Sequence, residues 1–547
     1  MRFVAAERYL HLPVKNGAAK VVFQLRDEGQ LRREFEVELG TDVALDWWAG
    51  CDLGAFLGQD LELTVSGGDD DAAATVEAHL PEWLRLSPEP PGQDGLYHEA
   101  GRPQFHFTAQ RGWNNDPNGL LYLHGEWHLF FQHNPFGTNW GNMHWGHAVS
   151  RDLVHWRELP TALYPRSLKD MAFSGGGFVD HGNSAGFGAG REDVPMVAFT
   201  STGRGECLAY SPDGGTAWVE YGGNPILRHQ GRDPRILWYA PGRKWVMVVY
   251  DEPENAWRYA FYESTDLRSW RFMTAMDGFY ECPDLFELPL DGDPTRRRWI
   301  LYGAERREAN GRRHVARSSY RVGSFDGRTF TPETPMLIGH LGPNFYAAQS
   351  FANAPDGRVI MLGWLQGAAY PGMPFSQGLT VPLEVGLRNT AQGPRLTFLP
   401  VPELATLRRQ TVTLDTPSLA AANTALHGTD AELLDLELEL ALTRESVVVV
   451  AVRGTAFSYD AAVETMTAPG VSVPLSLRDG QLDLRILVDR GVVEVFAGGG
   501  LVALSYGGGP AKPATPLRLE LRGPGRVRRL TLSELTSVWP EQAPAPD

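Results

Sequence analysis

An aromatic-rich apolar segment recurs five times along this chain at spacings of roughly 50 to 70 residues, and that recurrence restricts the fold more than any other feature. The copies are residues 126–132 (EWHLFFQ), 195–201 (PMVAFTS), 244–250 (KWVMVVY), 298–304 (RWILYGA) and 358–364 (RVIMLGW). Each has the length and the β-branched and aromatic content of a buried strand. Three are followed by a Ser-x-Asp signature that ends on tryptophan: Ser150 and Asp152 before Trp156, Ser211 and Asp213 before Trp218, and Ser264 and Asp266 before Trp270. A degenerate fourth, Ser324-Phe325-Asp326, ends on Phe330. Units of short strands with a polar turn before an aromatic suit propeller blades, which bury their faces only against neighbours. Five copies predict five blades; the competing reading is an array of β-sandwiches.

The flanks have a different texture. Residues 1–98 alternate in polarity at 20–25 and 34–39 and run into a Pro/Gly linker, Pro88-Glu89-Pro90-Pro91-Gly92, as a small β-domain would. Residues 403–540 carry alternating segments at 434–442, 446–452, 482–488 and 491–496 and predict a β-sandwich. Residues 541–547 form a Pro/Ala tail expected to be disordered. The fold expected is all-β: an extra small N-terminal β-domain, a five-bladed β-propeller over 99–402, and a C-terminal β-sandwich.

A formal net charge of -16 argues against nucleic acid as a partner, since Lys and Arg neutralising phosphates supply most of that affinity. The three cysteines, Cys51, Cys207 and Cys282, lie far apart without metal-ligand spacing. The first residues lack the apolar core of a signal peptide, and no run approaches membrane-spanning length, so no membrane partner is expected. The chain as given reads as cytoplasmic, and as extracellular if a leader precedes it.

The unusual polar motifs fall just ahead of the repeats. Asn115-Asp116-Pro117, Phe173-Ser174-Gly175, Arg232-Asp233-Pro234, Glu281-Cys282-Pro283 and Asn344-Phe345-Tyr346 precede the five copies in order. Placed on the innermost strand of each blade, they converge on one end of a central channel. Proline presets its own φ and biases the preceding residue towards extended backbone, which gives Asp116 a fixed direction. Asp116, Asp233 and Glu281 supply the carboxyl groups that glycoside hydrolysis requires on either side of the bond. The apolar company of Glu281, with Phe279-Tyr280 before it and Cys282 after, suits an acid/base kept protonated. Asp116 is then the nucleophile, and Asp233, beside Arg232, a fixed anion that stabilises the transition state. His144-x-x-His147 lacks accompanying Cys or acidic spacing, so no metal is expected, and no cofactor. The glycine runs at 175–177 and 186–190 lack the context of a phosphate loop and read as turns; the acidic run Asp69-Asp70-Asp71 reads as a solvated loop tip.

The segments FHFTAQRGWNNDPNGL (105–120), FFQHNPFGTNWGNMHWGHAVSRDLVHW (130–156), FSGGGFVD (173–180), RDP (232–234), YECPDLF (280–286) and LVDRGVVEVFAGGG (487–500) resemble glycoside hydrolase family 32. That family comprises β-fructofuranosidases, fructan hydrolases and related fructosyltransferases. The resemblance implies retaining double displacement on β-fructofuranosides, with the same three roles for Asp116, Asp233 and Glu281. It also implies a fructose subsite lined by Asn115, Gln132, Trp140, Phe173, Ser174 and Arg232, with Trp364 as a further wall. RYLHLPVKNGAAK near the N-terminus is similar to the extra domain of some bacterial fructanases. Asn344, also expected to bind substrate, stands where the family often has Asp, which tilts the expectation from sucrose to fructan; Leu383 and Phe375 also depart from its pattern. The activity expected is exo-acting fructan hydrolysis, levan before inulin. Its rivals are a fructosyltransferase using the same intermediate and a non-catalytic fructan-binding propeller.

Overall fold

The computed structural model describes the chain except for residues 42, 67–69, 94, 310–311, 509–516 and 540–547, and gives the backbone alone at 70–75, 306–309 and 312–317. The expected tail at 541–547 lies outside the described residues. All five repeats form the second strand of an antiparallel meander. The first strands of these meanders are Gly112–Leu123, Gly177–His181, Gly231–Tyr239, Phe279–Leu290 and Phe345–Ser350. Their backbones and side chains join in a ring. Gly119 N–H donates to the Gly175 carbonyl at 3.0 Å, Gly176 N–H to the Pro234 carbonyl at 2.9 Å, and Cys282 N–H to the Asp233 carboxylate at 2.9 Å. Ser350 N–H then donates to Asp284 at 2.7 Å, and Ala352 exchanges two bonds with the first strand, at Leu120 and Tyr122, both at 2.9 Å. The module these meanders form is a β-propeller whose first strands surround its axis.

The Ser-x-Asp signature has one physical job at each site. Between the third and fourth strands of the first meander, Asp152 accepts N–H bonds from Val154 and His155 at 3.0 and 2.8 Å, and Trp156 Nε1 donates to the Leu153 carbonyl at 3.0 Å. Asp213 with Trp218 and Asp266 with Trp270 repeat the pattern. Asp326 keeps the N–H bonds to Arg328 and Thr329 at 2.8 and 2.7 Å, and Phe330, with no ring N–H, ends the degenerate copy. An Asx-type turn followed by an aromatic anchor therefore sets the edge of each of these meanders.

Two readings need correction. Gly175-Gly176-Gly177 is not a turn around a blade but an extended run that packs closely against neighbouring backbone. A Cβ on Gly177 would lie 2.2 Å from the Gly119 carbonyl oxygen, and one on Gly175 would lie 2.0 Å from that of Ala198. Asp70 and Asp71 open a helix, Asp70–Trp83, instead of capping a loop, while Asp69 lies outside the described residues. Three alanines follow, and alanine has the highest helix propensity.

The C-terminal module packs a six-stranded sheet on a five-stranded one, with Leu436, Leu438, Val448, Val450 and Ile486 in the core between them. Its seam with the propeller is polar at the centre. His106 contacts Asp489 through Nδ1 at 2.8 Å and Glu494 through Nε2 at 3.2 Å, all three being 0% exposed. Burial alone would push this imidazole down, but the two carboxylates outweigh it and hold its pKa up at about 9. A group raised in the folded state stabilises fully below its unfolded value, near 6.5, and loses that contribution as pH rises through about 9. Melting temperature is therefore expected to fall between those limits, and His106→Ala, which strands two buried carboxylates, to cost about 3–5 kcal/mol. A melting profile of the wild type that stays flat to pH 9.5, roughly the top of that window, would remove the charged-imidazole account.

The N-terminal domain consists of a four-stranded and a three-stranded sheet with Phe23, Phe35, Leu61 and Leu63 in its core. Among the described residues, no helix is long and apolar enough to cross a membrane.

Candidate active site

Three of the first strands each deliver one carboxylate to the same end of the channel. Asp116 lies on the first, where Oδ2 accepts from Ser174 Oγ at 2.6 Å and Oδ1 from Asn115 Nδ2 at 3.1 Å. Asn115 is itself oriented by Trp113, whose Nε1 donates to Asn115 Oδ1 at 2.9 Å. No cation is paired with Asp116 among the described residues. Burial raises its pKa to about 6, the charge of Glu281 adds to this, and the bonds from Ser174 and Asn115 oppose it.

Asp233 is 3% exposed and sits at φ 66°, a left-handed conformation uncommon for a non-glycine residue though better tolerated by Asp than by most. Its constraints are visible on both sides. Oδ2 accepts from Cys282 N–H at 2.9 Å, and its own N–H donates to Thr200 Oγ1 at 2.9 Å. The Thr200 hydroxyl donates to Glu206 Oε2 at 2.8 Å, and Glu206 Oε1 meets His229 Nε2 at 2.7 Å. His229 Nδ1 lies 3.2 Å from Asp251, which Arg258 grips at 2.7 and 2.9 Å. Burial raises the Asp233 pKa, opposed by Arg232 and reinforced by the charges of Glu281 and Asp116.

Glu281 occupies a more polar setting than Phe279-Tyr280 and Cys282 suggest. Arg232 donates to its Oε2 from Nε at 3.1 Å and Nη2 at 2.7 Å, and Tyr346 Oη donates to Oε1 at 2.6 Å. Arg232 thus serves Glu281 first; its Nε is 3.9 Å from Asp233, a longer contact than the expected pairing. Its guanidinium packs against both Tyr250 and Tyr280, 5.1 and 5.2 Å from their ring centroids.

The remaining expected residues divide into two groups. Gln132 Nε2 donates to the Ala172 carbonyl at 2.9 Å and so fixes the segment that carries Phe173 and Ser174. Trp140 is 50% exposed, with its ring edge-on to Phe173 at 6.0 Å, while Trp364 meets Trp113 at 6.1 Å and Tyr346 at 6.4 Å. Asn344 stands apart from the carboxylates. Its Nδ2 donates to the Gln366 carbonyl at 2.7 Å and its Oδ1 accepts from Gly507 N–H at 3.1 Å, which ties the propeller to the sandwich. An Asp there could not donate to Gln366. Phe375 is 1% exposed beneath the Arg102 guanidinium, and Glu384 pairs with Arg358. His144 and His147 are both buried and take different partners, the Asn142 carbonyl and His128. Tyr346, Tyr280 and Thr200 contact the carboxylates or their supports and were not singled out from the sequence.

The model of the glycosyl hydrolases family 32 N-terminal domain matches residues 106–400, and that of the family 32 C-terminal domain matches residues 403–507. The chain belongs to glycoside hydrolase family 32. Residues 1–105 precede both matches, so the N-terminal domain is an addition to the family 32 unit. This family 32 protein is 34% identical over 494 residues to a levanase of Bacillus subtilis, covering 81% of this chain and 72% of the levanase. It is 30% identical over 523 residues to an extracellular exo-inulinase of Aspergillus niger, covering 81% and 96%. The crystal structure of exo-inulinase from Aspergillus awamori superposes with a TM-score of 0.71 at 28% identity, over 81% of this chain and all of that one.

Proposed function

We propose that this protein is a retaining β-fructosidase that releases fructose from fructans, with Asp116 as nucleophile, Glu281 as acid/base and Asp233 as transition-state stabiliser. The observation that carries this reading is the convergence of three carboxylates from three first strands, of which only Asp116 is without a cation. An ionised Asp116 oxygen forms a bond to the anomeric carbon of a terminal fructosyl unit while the bond to the leaving oxygen breaks and Glu281 delivers its proton there. Water then gives a proton back to Glu281 and attacks the same carbon, which breaks the ester to Asp116 and frees fructose. Asp233, fixed by Cys282 N–H and Thr200, offers its remaining oxygen to sugar hydroxyls and to the positive charge that develops on the ring. Asn115, Gln132, Ser174 and Arg232 orient those groups around the first sugar, and Trp140, Phe173 and Trp364 provide its aromatic walls.

The kinship with a levanase and an exo-inulinase supports a fructan as substrate, with levan ranked first and inulin second; Asn344, bonded into the seam between modules, adds no charge near a leaving group. Chromatography of products from levan, inulin and sucrose tests the assignment. Free fructose as the sole sugar released from a fructan is the expected outcome. Transferred oligosaccharides or difructose anhydrides as main products would instead make it a fructosyltransferase, and binding without turnover would make it a fructan-binding propeller.

A further inference from the structure

The added N-terminal domain grips the two loops that present the aromatic wall of the channel mouth. Its strand Gln30–Glu38 lies at the edge of the four-stranded sheet, and among the described residues no further strand pairs with it at Glu36. Asn142, on the propeller loop that carries Trp140, supplies the missing partner. Glu36 N–H donates to Asn142 Oδ1 at 2.8 Å, and Asn142 Nδ2 donates back to the Glu36 carbonyl at 2.8 Å. A side-chain amide thus completes the sheet edge as a peptide group would. Asn142 reaches it from φ 44°, a left-handed conformation that asparagine tolerates better than most residues.

The same loop is anchored at its other end. Phe136 stacks on Phe35 at 4.2 Å and belongs to the hydrophobic core of the N-terminal domain, 3% exposed. Inside the loop, Asn134 ties the two anchors together, accepting from Phe136 N–H at 3.0 Å and from Asn142 Nδ2 at 2.9 Å and donating to the Asn139 carbonyl at 2.8 Å. Trp140 lies between those fixed points. One turn of the sheet edge away, Glu34 Oε2 accepts from Leu168 N–H at 2.9 Å while Gln24 holds its other oxygen at 2.7 Å. Leu168 belongs to the turn that leads into Ala172–Phe173. Both members of the Trp140–Phe173 pair are therefore positioned from one N-terminal strand.

We propose that the N-terminal domain is a specificity-determining part of the catalytic unit, which acts by holding Trp140 and Phe173 in place through Asn142, Phe136 and Glu34. This rests on the reading of those two aromatics as a wall of the fructose-binding pocket. Asn142 and Glu34 touch no carboxylate of the site and are positioning residues: they set the shape of the mouth, and so substrate affinity, while the chemistry stays with Asp116 and Glu281.

The test is a double-mutant cycle between Asn142→Ala and Trp140→Ala, read as KM and kcat on a fructo-oligosaccharide, with thermal melting to confirm folding. Losing two backbone hydrogen bonds is expected to raise KM by roughly fivefold to tenfold with kcat held within about twofold. In the Trp140→Ala background the same change should add little, because the residue it positions is gone. Equal effects of Asn142→Ala in both backgrounds, or a fall in kcat with KM unchanged, would overturn the proposal. A second readout is independent of turnover: in protein labelled with 5-fluorotryptophan, the ¹⁹F resonance assigned to Trp140 by its absence from Trp140→Phe should broaden or shift in Asn142→Ala. A resonance unmoved by Asn142→Ala overturns the proposal even if no fructoside is cleaved, whereas a moved resonance in an inactive protein overturns only the assigned activity.

Discussion

Asp116→Asn is expected to abolish fructoside hydrolysis, lowering kcat/KM by about 10⁴-fold to 10⁶-fold, the scale on which a covalent nucleophile acts. The amide keeps the volume and can still accept from Ser174, but it cannot form the fructosyl ester. The same substitution should raise stability. Burial lifts the Asp116 pKa to about 6, so the ionised carboxylate is a folding cost at neutral pH. For an acid raised in the folded state, that cost is absent below the unfolded pKa near 4 and complete above about 6. At neutral pH the gain on removing it is about 2 kcal/mol, after a discount for the solvent that reaches the carboxylate from the channel. Wild-type kcat/KM should accordingly fall roughly tenfold per unit on the acid side of pH 6, as Asp116 takes up its proton. Steady-state kinetics and melting at pH 4 to 8, roughly spanning both limits, check the three outcomes together. An inactive variant that melts lower than wild type at pH 7, roughly the middle of that range, would contradict the buried-charge argument while leaving the nucleophile in place.

Glu281→Gln is the second large effect, expected at about 10²-fold to 10⁴-fold in kcat/KM on natural fructosides. Gln keeps an oxygen that can accept from Arg232 or Tyr346 at the distances Glu281 now uses, 2.7 and 2.6 Å, so the frame of the site survives. What disappears is the proton. An aryl fructoside, whose leaving group departs without protonation, should lose far less in the fructosylation step than a fructan does. The discriminating measurement is therefore the ratio of losses on the two substrates. Equal losses on both would mean that Glu281 orients Arg232 and does not pass a proton to the leaving oxygen.

The strands that sequence reasoning located best are those buried on both faces. Residues 244–250 carry an unbroken apolar run, because strand Lys244–Asp251 packs between neighbouring strands and neighbouring sheets, and such runs announce themselves. The Ser-x-Asp-to-Trp signature was legible for a different reason: the turn needs a side-chain acceptor at one position and an indole N–H a few residues later. The three carboxylates were legible because each sits in a rigid X-Pro or X-Cys-Pro frame. Tyr346 was not: it lies on strand Phe345–Ser350, one residue inside the strand from the turn that holds Asn344, and a phenol there has no spacing that ties it to Glu281. Thr200, Glu206 and His229 had no local signal, since a hydroxyl or imidazole that serves a residue in another meander has no fixed spacing to it. The helix Leu419–His427 was likewise unmarked; its N-cap Ser418, accepting from Ala421 N–H at 3.2 Å, becomes a cap only once the Ala-rich stretch after it is known to be helical.

The closure of the ring has a consequence for how the protein is made. Asp116 lies on the first strand of the first meander, and one lateral neighbour of that strand is Phe345–Ser350, joined through Ala352 to Leu120 and Tyr122. On a ribosome Asp116 emerges more than two hundred residues before the strand that flanks its own on this side. Asp233 and Glu281 follow at intervals, and Glu281 gains its bond from Tyr346 only when the last meander docks. Long-range strand pairing of this kind is slow and leaves apolar edges open while it waits. The nascent chain therefore carries the three carboxylates apart, and the pocket they share is complete only when the circle of strands closes.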